Sequence, residues 1–196
     1  MKGLKVGFIV AAAGLSRRHP PNKLLIEIGG KPAILRTVES LLPLGFPVVV
    51  VLGYQADETR QVLRRLDSPT LQIVENVNYI SGMASSLSTG IRALPEGLDY
   101  FGFLPGDKPF LSLTTIQSTL NFMTEHRPLI LVPEFENLPG HPTYFSSTLR
   151  SEFYKLSGDT GGREILKKYA GSVETMVVDD PNITLDMDRW LESHGK

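Results

Sequence analysis

The chain has 196 residues, 41% of them hydrophobic, a composition that suits a buried core and not a disordered tail. Its 20 Lys and Arg against 21 Asp and Glu leave a formal charge of -1, which excludes the global basic field that binds nucleic acid or an anionic membrane. With no cysteine, disulfide scaffolds, thiolate nucleophiles and Cys-ligated metal centres are excluded, and four His remain for any imidazole site.

Met1, Lys2 and Lys5 followed by an apolar run over 6–13 have the outline of a secretory signal. The run is short, is followed at once by Arg17, Arg18, His19 and Lys23, and opens a repeating strand-helix pattern, so it reads as a first strand. No apolar stretch approaches the roughly 18 residues that span a bilayer, and a cytoplasmic protein is expected. Strands are predicted over 5–10, 48–52, 71–75, 100–104, 129–132, 143–145 and 175–178. Between them, Ile34, Leu35, Val38, Leu41 and Leu42 share a helical face. So do Val62, Leu63 and Leu66, then Met83, Leu87, Ile91 and Leu94, then Leu113, Ile116, Leu120 and Met123. The alternation predicts an α/β protein whose mostly parallel sheet is covered by helices, with ligands beyond the carboxyl ends of the strands. No linker, repeat or low-complexity tract interrupts it, and a single domain over 1–196 is expected.

After the first strand, Ala11-Ala12-Ala13-Gly14-Leu15-Ser16-Arg17-Arg18-His19-Pro20-Pro21-Asn22-Lys23 combines small residues, a glycine free to take positive φ, a hydroxyl on Ser16 and the charges of Arg18 and Lys23. Such a loop can cradle phosphate, and a solvated basic turn fits the same composition. Neither G-x-x-x-x-G-K-[ST] nor G-x-G-x-x-G occurs, which removes the common P-loop and dinucleotide readings. The string A-A-G-x-S-x-R, with Lys five residues after the Arg, resembles the signature loop of the molybdenum-cofactor nucleotidyltransferases. That resemblance implies a three-layer α/β/α, Rossmann-like nucleotide-diphospho-sugar transferase (glycosyltransferase-A-like) fold. It also implies Ala12, Ala13 and Gly14 along a nucleotide, with Ser16, Arg18 and Lys23 on its phosphates. His19-Pro20 stand where the family usually reads Met-Gly, and Pro20 has no N–H, so no main-chain phosphate contact is carried over there.

Leu104-Pro105-Gly106-Asp107-Lys108-Pro109 places one carboxylate on a tight turn after a strand. Asp107 there can hydrogen-bond its own turn, or serve as one of the few carboxylates that a phosphate-bound Mg2+ requires. The string resembles the family's L-x-G-D-x-P element, which implies the metal role. Leu185-Asp186-Met187-Asp188-Arg189-Trp190 resembles the family's D-x-D-T-P segment, implying Asp188 as second ligand with Asp186 in reserve. Arg189-Trp190 replace the usual Thr-Pro, and Asp188 also suits the cap of a last helix over 189–194.

Residues 76–86 read N-V-N-Y-I-S-G-M-A-S-S. Ser85 and Ser86 sit in the first turn of a helix, where hydroxyls reach backbone or ligand, and Met83 with Leu87 reads as core. The segment resembles N-P-x-x-x-x-G-M-x-S-S-L of the cytidylyl-transferring branch, with Val77 in place of Pro, where the guanylyl branch has G-P-L-A-G. This implies CTP, with Asn76, Gly82, Ser85 and Ser86 near the nucleotide. Gly140-His141-Pro142 and Gly158-Asp159-Thr160-Gly161-Gly162-Arg163 are similar to the family's acceptor-side elements, implying that His141, Asp159 and Arg163 bind the acceptor phosphate. Asp159 and Arg163, four apart, also suit a helix-end salt bridge.

The resemblance as a whole implies a molybdenum cofactor cytidylyltransferase-like enzyme. It would move CMP from CTP to the terminal phosphate of molybdopterin, with Mg2+ or Mn2+ and with Asp107, Lys23 and Arg18 as catalytic groups. Nucleotide binding is expected over about 1–110 and acceptor binding over about 111–196. Two other readings stay open. One is a related transferase using GTP or another phosphorylated acceptor; the other is a non-catalytic cofactor-binding partner in the maturation of a molybdenum hydroxylase.

Overall fold

The computed structural model describes residues 3–15 and 22–194. Strand β1 (Val6–Ala12) leads through a two-strand hairpin, β2 (Glu27–Ile28) and β3 (Lys31–Pro32), to helix α1 (Ala33–Glu39). Then follow β4 (Val48–Leu52), α2 (Ala56–Leu63), β5 (Leu71–Glu75), α3 (Met83–Ala93), β6 (Tyr100–Pro105) and α4 (Leu113–His126). The last part of the chain adds β7 (Ile130–Phe135), β8 (Leu138–Pro139), β9 (Thr143–Ser146), α5 (Arg150–Phe153), α6 (Gly162–Lys168), β10 (Val173–Val177) and α7 (Met187–His194).

Among the described residues, the main sheet runs β10-β7-β9-β6-β1-β4-β5, with β8 added to β7. β1 is parallel to both β4 and β6, while β9 runs antiparallel to β6 and β7. The chain steps from β1 outward to β4 and β5, then returns to the other side of β1 as β6. The strand order therefore reverses at β1, and a crevice opens beyond the carboxyl ends of β1 and β6.

Both faces of the sheet are covered, which is why β4 consists of four valines and a leucine, all buried. Phe8, Val10, Val50 and Leu104 pack with Ile34, Val38, Leu63 and Ile116 on one face. The alternate residues Ile9, Val49, Val51 and Phe101 pack with Leu87, Ile91, Phe145 and Phe153 on the other. Burying Phe8, Leu52, Leu87 or Ile91 fully is worth about 1.5–3 kcal/mol each, so the two layers hold the rims of the crevice firmly.

The predicted strands 48–52 and 71–75 match β4 and β5, and the others shift by a few residues at one or both ends. β1 continues to Ala12, because Ala11 and Ala12 still pair with Val51 and Leu52. The β2–β3 hairpin was not predicted: its strands have two residues each, and its signal is the Gly29-Gly30 turn, both residues at positive φ. Met83, the first residue of α3, is 38% exposed and not core, while Ala84 and Ser86 beside it are buried. Among the described residues, no helix is long and apolar enough to cross a membrane.

Candidate functional site

The crevice is a cavity of about 660 Å³. Its walls include Ala12, Ala13 and Gly14 from the end of β1, Lys23, Gly82 and Ser86 from the start of α3, Asp107 after β6, and Asp159 and Asp188. Ser16 and Arg18 lie outside the described residues. Elements 165 residues apart meet here, because the C-terminal segment docks on the turn after β6.

Three contacts make that docking. The Met187 amide donates to the Asp107 carbonyl at 3.1 Å, Lys108 Nζ donates to the Thr184 carbonyl at 2.9 Å, and the His141 amide donates to the Ile183 carbonyl at 3.0 Å. Gly140 is needed at this seam, since a Cβ there would lie 2.5 Å from Ile183. The turn itself is held from below: the Gly106 amide donates to the Ala11 carbonyl, and Thr37 Oγ1 donates to the Gly106 carbonyl.

Asp107 and Asp188, both buried, converge on one cationic nitrogen. Lys23 Nζ lies 2.5 Å from Asp107 Oδ2 and 3.0 Å from Asp188 Oδ2. Burial alone would lower the Lys23 pKa, but the two carboxylates outweigh it and the ammonium is held above its ordinary value. Lys23 is placed by Asn22, whose Oδ1 accepts from the Leu24 amide at 3.1 Å and caps the short 3-10 helix Lys23–Leu25. Asn22 is itself a local signal in the sequence, an Asx turn ahead of a basic residue.

Asp188 does not cap the last helix. The helix starts at Met187, and Asp186 Oδ1 takes the capping bond, accepting from the Arg189 amide at 3.0 Å. Two residues on, Asp188 faces Lys23 instead. Nor does Asp107 spend its carboxylate on its own turn, because Lys23 takes it.

Asn76 and Ser85 do not line the cavity. Asn76 Nδ2 donates to Ser85 Oγ at 2.8 Å and Ser86 Oγ at 3.0 Å, and its Oδ1 accepts from the Asn78 amide. Ser85 Oγ donates onward to the carbonyls of Gly82 and Asn78. These side chains fasten the end of β5 to the start of α3, which aims Ser86 at the cavity. Tyr79 and Ile80, not singled out from the sequence, join the wall, and so does Met83, which the sequence placed in the core. Gly82 (φ +109°) admits the Gly158 carbonyl, which accepts from the Ala84 amide. An alanine Cβ there would lie 2.2 Å from that oxygen. Gly82→Ala is expected to cost about 3 kcal/mol or more in urea unfolding, from the clash and the left-handed φ together.

Asp159 is exposed on the cavity wall, while Arg163 is exposed on α6 outside it. No ion pair joins the two among the described residues, because Asp159 precedes the helix and does not share its face. His141 is also outside the lining, packed edge-on against Phe103, which lines it. Its Nδ1 is 3.3 Å from the Phe103 carbonyl, an acceptor only, so Nδ1 carries the proton. Burial, and after it the Lys108 charge, push this imidazole down to about 4. Burial likewise lowers the Lys108 ammonium, partly offset by Asp186 and Asp107. An unfolded His binds its proton near pH 6.5 and the folded one near 4, so stability falls as pH drops through that window, by on the order of 3 kcal/mol. His141→Gln should remove much of this acid sensitivity in melting curves recorded from pH 7 to 4.5.

The sequence profile of the MobA-like NTP transferase domain matches residues 8–173. The chain belongs to this family. As a MobA-like NTP transferase it is a nucleotidyltransferase. It is 21% identical to the molybdenum cofactor cytidylyltransferase of Escherichia coli (strain K12) over 180 residues, 92% of this chain and 89% of that protein. It is 29% identical to a probable molybdenum cofactor guanylyltransferase of Pyrococcus horikoshii over 156 residues, 80% of this chain and 75% of that one. The solved structure of Rv0371c from Mycobacterium tuberculosis H37Rv has a TM-score of 0.83 at 24% identity, covering 100% of this chain and 98% of that chain. The same protein in complex with manganese gives 0.79 at 23%, covering 99% and 98%. The glycosyltransferase-A-like fold of this MobA-like NTP transferase rests on that likeness and on the sheet described above.

Proposed function

We propose that this nucleotidyltransferase moves CMP from CTP to the terminal phosphate of molybdopterin, releasing pyrophosphate, within a single domain. The observation that carries the reading is the convergence of Asp107 and Asp188 at the wall of the β1–β6 cavity. Two carboxylates on the wall of this cavity suit a hard divalent ion, Mg2+ or Mn2+, which takes one or two carboxylates plus water and phosphate oxygens. Among the described residues, no group of three or more His, Asp or Glu forms a closed protein cage, so the remaining ligands would come from nucleotide and water. When bound, the ion neutralises phosphate charge and orients the triphosphate.

The chain's own residues supply the rest. The attacking group is already an anionic phosphate monoester and needs no strong general base, so positioning and charge compensation carry the rate. Ala12, Ala13 and Gly14 let the nucleotide lie against the main chain, Ser86 and Gly82 border the opposite wall, and Lys23 with Arg18 holds the leaving pyrophosphate. His141, Asp159 and Arg163 remain our assignment for the acceptor side, with Arg163 suited to a bidentate phosphate contact.

The N-V-N-Y-I-S-G-M-A-S-S segment favours CTP, and the Escherichia coli relative carries cytidylyl transfer in its name. The higher identity of the Pyrococcus horikoshii relative favours GTP as the second reading. Incubating the protein with molybdopterin, Mg2+ and each NTP in turn, and following pyrophosphate, separates them. Release with CTP alone supports the proposal; release with GTP alone moves the assignment to the second reading; none with any NTP rejects both.

A further inference from the structure

The carboxylate oxygens that suit a divalent ion are the oxygens that hold Lys23. Asp107 Oδ2 is 2.5 Å and Asp188 Oδ2 is 3.0 Å from its ammonium, and the lysine side chain is only 19% exposed. A divalent ion bound to both oxygens would lie within a few Å of that ammonium, where two cations repel strongly in a partly desolvated setting. One of them must leave. The backbone of Lys23 is not free to do so: Asn22 is 1% exposed, caps the 3-10 helix and donates to Thr59 Oγ1 at 3.5 Å. The four-carbon stem beyond it is flexible, and an ammonium swung away from two carboxylates needs another anion within reach of the same cavity wall. A triphosphate entering the cavity is such an anion.

We propose that Lys23 is an internal counter-ion that occupies the divalent-cation position in the nucleotide-free protein and is drawn off by the triphosphate, so that metal and nucleotide bind together. The nucleotide half of this proposal rests on the functional reading above; the counter-ion half does not. Coupling of this kind is reciprocal: whatever factor by which nucleotide tightens metal binding, metal tightens nucleotide binding equally. It would also keep the acidic pair from holding a divalent ion while no substrate is present.

Mn2+ titrations read by electron paramagnetic resonance test it. Without nucleotide, Lys23→Met and Lys23→Gln should each bind Mn2+ at least about tenfold tighter than the wild type, since each removes a positive charge from the ion's position. A non-hydrolysable CTP analogue should then tighten Mn2+ binding more in the wild type than in Lys23→Met, because only the wild type has a lysine to displace. Asp107→Asn should abolish the gain in the Lys23→Met background. The proposal is overturned if both Lys23 variants bind Mn2+ no tighter than the wild type, if the gain survives Asp107→Asn, or if an analogue shown to bind the wild type tightens Mn2+ equally in both proteins. Failure of the functional reading is a separate result: pyrophosphate release absent with every NTP, with the nucleotide-free gain of Lys23→Met intact.

Discussion

Asp107→Ala is expected to slow pyrophosphate release from CTP by about 100-fold or more, the usual cost of deleting a group that stabilises transition-state charge. The expectation follows from geometry. The side chain is buried, sits on a turn whose backbone is fixed through Ala11, Thr37 and Met187, and with Asp188 is one of two carboxylates that meet Lys23 among the described residues. The bonds that hold the turn come from main-chain atoms of Gly106 and Asp107, so alanine leaves them in place. The loss should therefore appear in turnover while the protein stays folded, with a moderate fall in the thermal midpoint from the lost Lys23 contact. A variant that keeps more than a tenth of wild-type turnover at saturating CTP and Mg2+ would remove Asp107 from the chemistry.

The second large effect is a contrast between two aspartates two residues apart. Asp188→Ala should lower turnover about as much as Asp107→Ala, because its carboxylate completes the pair around Lys23. Asp186→Ala should leave turnover within a few fold and instead cost about 1 kcal/mol of stability, the price of a lost helix cap. Paired pyrophosphate assays and urea unfolding curves on the two variants read both quantities. Equal kinetic losses, or the larger loss at Asp186, would show that the metal-facing carboxylate has been assigned to the wrong residue.

Much of the scaffold was legible because it is written in local patterns. The four valines and a leucine of β4 could only be a strand buried on both faces, and their alternation into two packed clusters follows from a period of two. Gly106-Asp107 declared itself as a turn at a strand's carboxyl end, the place where a sheet of this kind exposes its chemistry. The differences between expectation and structure also have local causes. Helical period identified the face shared by Met83 and Leu87, but period does not distinguish a core position from one that opens on a cavity. Asn76 and Ser85 carry polar groups suited to a ligand, and the fold uses them on each other. Whether an amide is spent inside the protein depends on what packs beside it.

Chain order and local pattern were sufficient for the principal strands and helices and for the mostly parallel sheet. They were not sufficient for the pairing of Lys23 with Asp188, 165 residues away, or for the capping bond that Asp186 accepts from Arg189. Those depend on how the segment before α7 seats against the turn after β6 through Met187, Lys108 and His141. Such a contact is a property of two surfaces meeting, and its energy exists only once both have folded.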